Sequence, residues 1–118
     1  MNKVITIKKF VDNETGDIEV VKQKVFCYIN ERKLKFTHAE IEQSSLRIPL
    51  DPDDSRFYPL RIFANDGTVL LISEVRTGYH GASSEAIIDI LQYAGFTLER
   101  KFVEDIFNER KLKRVIYF

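Results

Sequence analysis

Asn65-Asp66-Gly67 stands between two apolar runs, Phe57 to Ala64 and Thr68 to Thr77, and a tight turn there obliges the runs to lie side by side. Asp-Gly supplies the positive φ angles that short hairpin turns require. The second run contains Val69, Leu70, Leu71 and Ile72 in succession, which predicts a central strand covered on both faces. After it comes R-T-G-Y-H-G-A-S-S-E-A-I-I-D-I-L-Q-Y-A-G from Arg76 to Gly95. This reads as a strand end, a glycine turn and a helix. Ser83 or Ser84 is the expected cap, Ile87, Ile88, Ile90, Leu91 and Ala94 form an apolar stripe, and Gly95 predicts a left-handed stop.

The first half reads as strands. Lys3 to Val11 is rich in β-branched residues, Asn13 to Asp17 is a turn cluster, and Ile18 to Ile29 carries a two-residue alternation with Val21, Val25, Cys27 and Ile29 on one face. A return through Lys33 to Thr37, with Leu34 and Phe36 inward, completes an N-terminal meander. Thr37 followed by Glu40 imitates a capping box, predicting a short helix or irregular edge before Ser44. Pro49, Pro52 and three nearby aspartates make a loop. A second helix is expected from near Thr97 to about Lys111, with Phe102, Val103, Ile106 and Phe107 at helical spacing, then a terminal strand over Arg114 to Phe118. Residues 1–118 thus form one α+β domain, an antiparallel sheet of about five or six strands with two C-terminal helices.

Lys plus Arg equal Asp plus Glu at 18 each, which disfavours nucleic acid as a partner and leaves nothing electrostatic to oppose a homo-oligomer. The lone Cys27 has no disulfide partner in the chain, and the apolar run Val4 to Ile7 is too short for a signal peptide or a membrane span. A cytoplasmic setting is expected.

The glycine turn carries the candidate site. The first turn of a helix holds backbone N–H groups without intrahelical partners at the positive end of the peptide dipoles. Gly78 and Gly81 allow close approach to backbone, Ser83 and Ser84 add hydroxyls, Arg76 supplies a fork for phosphate, and Tyr79 and His80 offer rings for stacking. That combination fits a phosphorylated or nucleotide-like small molecule. The alternative is a plain chain reversal in which a serine caps the helix and Glu85 complements its dipole. Arg110 and Arg114 lie in the densest basic cluster, where they either complement a helix C-terminus or reach an anion across a subunit boundary. Arg56 and Phe57 are further candidates for facing a ligand or partner. The spacing matches no phosphate loop or dinucleotide fingerprint, and His80 with a serine lacks the elbow of a hydrolase. No catalytic residue, cofactor or metal set is predicted; Cys27, His38 and His80 follow no zinc spacing.

The order of a sheet followed by helices, the arginines at 56, 76 and 110 and the turn G-Y-H-G-A resemble small phage proteins that act as sponges against Thoeris defence. The resemblance implies non-enzymatic sequestration of cyclic ADP-ribose signalling molecules in pockets between chains of an oligomer. A second reading from the residues is a protein-binding module, an inhibitor or immunity protein, acting through a sheet edge.

Overall fold

The structure is a computed structural model that describes residues 3–7, 18–43, 59–72, 75–78 and 80–118. In chain order the elements are β1 (Lys3–Ile7), α1 (Ile18–Arg32), β2 (Phe36–Glu42), β3 (Leu60–Ala64), β4 (Thr68–Ile72), α2 (Ala82–Tyr93), α3 (Arg100–Asn108) and β5 (Lys113–Tyr117). The fold is α+β. One sheet has the order β1-β4-β3-β2-β5, antiparallel from β4 to β5, with β1 added parallel to β4.

The hairpin stands where Asp66-Gly67 places it. β3 and β4 pair antiparallel from Leu60 opposite Ile72 to Phe63 opposite Val69, Gly67 has φ of 89°, and the Asp66 carboxylate accepts from the Thr68 amide at 2.8 Å.

Two N-terminal expectations are overturned. Residues 18–32 form a helix, so there is no meander, because Val21, Val25 and Ile29 recur every fourth residue and Cys27, which alternation would bury, is exposed. Lys22 fastens the helix by bonding Asp89 of α2 at 3.0 Å and Glu19 one turn back at 2.9 Å. Those two carboxylates, Glu19 foremost, raise the lysine's pKa. Residues 36–42 are a strand between β3 and β5, not a short helix: Ala39 and Ile41 are buried against the helices, and that burial outweighs the capping-box resemblance.

Ala39, Ile41, Leu60, Ile62, Leu70 and Ile72 share one sheet face by register and are almost wholly buried. Against them pack Val21 and Val25 of α1, Ile87, Ile90 and Leu91 of α2, and Phe102 and Ile106 of α3, giving one core between sheet and helices. Each such side chain contributes roughly 1.5–3 kcal/mol relative to exposure.

Helix α2 starts after Gly81, whose extended backbone is the N-cap and supplies no side-chain bond; Ser83 and Ser84 lie inside the first turn instead of capping it. Its end follows the expected pattern. Gly95 has φ of 101°, its amide donates to Gln92 O at 3.0 Å and the Phe96 amide to Leu91 O at 3.0 Å, a pair of bonds that closes the last turn. A Cβ at Gly95 would also come within 2.9 Å of the Phe118 ring. Gly95→Ala should therefore lower stability by about 1–2 kcal/mol in urea denaturation, with an unchanged m-value. A neutral effect would contradict this account of the helix end.

Candidate functional site

The glycine turn is held from within. Gln43, just beyond β2, donates through Nε2 to Val75 O at 3.1 Å and accepts from the Thr77 amide at 3.3 Å. The Gly78 amide donates to Ile106 O at 2.8 Å, and a Cβ at Gly78 would lie 2.6 Å from Arg110 Cα, so glycine is needed there for close backbone contact. Ser84 is fully buried, and its hydroxyl donates to Arg76 O at 2.5 Å. The hydroxyl that sequence reading offered to a ligand ties the turn to its own helix.

Around this turn the structure gathers Arg76, Gly78, His80, Gly81, Ser83, Ser84 and the backbone of Arg110. Arg76 and Arg110 are exposed, and no carboxylate pairs with either among the described residues. His80 is exposed and stacks on Phe107 with ring centroids 4.6 Å apart and planes within 3°. The Ser84 hydroxyl is committed to Arg76 O and so does not pair with that imidazole. Arg56, Phe57 and Tyr79 lie outside the described residues. Among the described residues no cluster of His, Cys, Asp or Glu could hold a metal ion, and no helix is long and apolar enough to cross a membrane.

Arg114 belongs to a different place. It sits on β5, where its guanidinium bonds the Asp105 carboxylate of α3 and lies 5.8 Å from the Phe102 ring centroid. Beside it runs a groove of about 250 Å³ between β5 and the start of α3. Thr97, Leu98, Glu99 and Phe102 line it from the α3 side and Arg114 to Tyr117 from β5.

Among the described residues β5 is an open sheet edge. β5 is last in the strand order, with β2 on one side only. At the two ends of that ladder the Gln43 amide donates to Leu112 O and the Phe118 amide to Thr37 O, each at 2.9 Å. Hydrogen-bonding direction alternates along an antiparallel strand, so residues 112, 114, 116 and 118 aim their backbone at β2. Lys113, Val115 and Tyr117 therefore aim theirs outward. Among the described residues no backbone group bonds to that outward side. Of these three residues, Val115 is 47% and Tyr117 77% exposed, beside an exposed Lys113, and the neighbouring Phe118 is 67% exposed. Sequence reading missed the groove because neither the strand order nor the place of residues 97–99 is visible in local pattern; the only signal was the density of large apolar residues in Val115 to Phe118.

Compared with protein-family models, curated proteins and solved structures, the chain matches none.

Asp105 holds Arg114, one of the residues that line the groove. The Lys101 ammonium, 3.0 Å from Oδ1, holds the carboxyl below its ordinary value; burial opposes that pull and Arg114 adds to it. A depressed folded-state pKa means that the stabilisation is present above the unfolded value, about 3.9, and is lost as pH falls through the folded value. Wild-type stability minus that of Asp105→Asn should therefore be constant from about pH 7 to 5 and shrink towards pH 2, as read by urea denaturation at each pH. A difference independent of pH would contradict the ion-pair assignment.

Proposed function

We propose that the protein is a non-enzymatic binding protein that recognises an extended polypeptide by adding it as a strand to β5. The outward N–H and C=O groups of Lys113, Val115 and Tyr117 carry this reading: they sit on an apolar edge with a groove alongside. Strand addition takes affinity from main-chain bonds and specificity from side-chain pockets, and this edge offers both. An exposed apolar edge also invites indiscriminate pairing, which natural sheets counter with charge, proline or bulges; here Lys113 is the one cation among the three outward residues. An inhibitor or immunity protein is the functional class that fits.

A random-peptide display selection on the dilute protein tests it. Enriched peptides should bind with dissociation constants near or below about 10 µM and lose at least about tenfold on Val115→Pro, which removes an outward donor and spares the bonds to β2. Failure to enrich any peptide, or enriched peptides indifferent to Val115→Pro, would overturn the reading.

The second reading is sequestration of a phosphorylated or nucleotide-like small molecule at the start of α2. Its support is that Arg76 and Arg110 stand beside a helix start without a side-chain cap, and neither has an ion partner among the described residues. Ser84 contributes nothing to it, since its hydroxyl is committed to Arg76 O. Titration calorimetry against nucleotides and cyclic dinucleotides should then show binding that weakens at least about tenfold with Arg76→Ala or Arg110→Ala. Absence of heat across the panel would remove this reading.

A further inference from the structure

Resting on the reading of β5 as a docking edge, we infer that the strand it receives is β5 of a second copy, paired antiparallel about a two-fold axis at Val115. A two-fold contact uses the same patch on both subunits, so the edge must complement itself. It does so in one register. With the axis at Val115, that residue faces its own copy, Lys113 faces Tyr117 and Arg114 faces Ile116. All three outward residues then meet outward partners, each such pair exchanging two N–H···O bonds.

Neighbouring registers fail on charge or on pairing. An axis at Arg114 sets that guanidinium against its own copy, and an axis at Ile116 pairs Val115 with Tyr117 and so takes the Lys113 ammonium away from that ring. At Val115 the Lys113 ammonium instead reaches the face of the opposite Tyr117 ring, which is 77% exposed in the single chain. On the other face the incoming Ile116 side chain stands opposite Arg114, at the mouth of the groove lined by Leu98 and Phe102. Lys113, which discourages foreign strands, thus finds its complement in the copy. Equal numbers of cationic and anionic side chains, 18 each, leave no net repulsion between copies. The product is one continuous sheet through two chains, with both β5 edges covered.

Sedimentation equilibrium and oxidative cross-linking test the pairing. The wild-type chain should be a dimer at about 100 µM, and both Val115→Pro and Tyr117→Lys should weaken it at least about tenfold while leaving unfolding of the dilute chain nearly unchanged. Tyr117→Lys adds like charge opposite Lys113 and stays informative if the proline variant does not fold. In a Cys27→Ser background, Val115→Cys should give a disulfide-linked dimer, because opposed Cα atoms at a hydrogen-bonded pair are about 5.5 Å apart. Lys113→Cys should not, since it faces Tyr117. A monomer at about 100 µM, or a dimer indifferent to both variants, would overturn the inference. If display-selected peptides still bound such a chain through β5, the docking edge would stand and only the second copy would fall; if they did not, both would.

Discussion

The direction of backbone hydrogen bonding along β2 fixes most of what this molecule presents to its surroundings. Glu42 donates to Pro59 O on the β3 side, while Gln43 and Thr37 bond the β5 side through Leu112 and Phe118. From His38 to Glu42, past the irregularity at Phe36, even-numbered residues of β2 therefore serve β3, and odd-numbered ones serve β5. The same alternation buries Ala39 and Ile41 under the helices, and it leaves Lys113, Val115 and Tyr117 facing outward at the end of the sheet. A one-residue slip between β2 and β5 would turn Leu112 and Ile116 out of the core side and bring Val115 in.

The glycine turn and the β5 groove illustrate two uses of similar residues. At the turn, Ser84, Thr77 and Gln43 spend their hydrogen bonds on the protein's own backbone, and Gly78 lets that backbone press against Arg110. The result braces the start of α2 against the loop that leads into β5. At the groove, Arg114 and Asp105 satisfy each other, yet the adjoining main chain on the outward side of β5 is bonded to nothing among the described residues. Unpaired main chain next to exposed apolar surface marks a place for association.

Much of this arrangement was legible in local sequence. Asp66-Gly67 placed the hairpin, Gly95 placed the end of α2, and the spacing of Phe102 and Ile106 placed α3. The terminal strand also lies where its apolar run predicted. Residues 18–32 misled because Val21, Val25 and Ile29 satisfy a period of two as well as a period near four; Cys27 was the position that discriminated, and its polarity is too weak to do so from sequence. Thr37 and Glu40 imitated a helix start at a place where pairing on both sides makes a strand. The parallel pairing of β1 with β4 and the edge position of β5 depend on contacts distant in sequence, which no local window contains. For the turn, residue types pointed to an anion site, but the partner of the Ser84 hydroxyl was a matter of tertiary geometry.

Residue-resolved amide hydrogen exchange along β5, measured across a dilution series, tests the outward register most directly. The account predicts slow exchange at Arg114, Ile116 and Phe118 at every concentration, and fast exchange at Val115 and Tyr117 in the dilute monomer that slows as the chain is concentrated. Slow exchange at Val115 and Tyr117 in a chain shown to be monomeric would mean that the edge is already covered, and would contradict it.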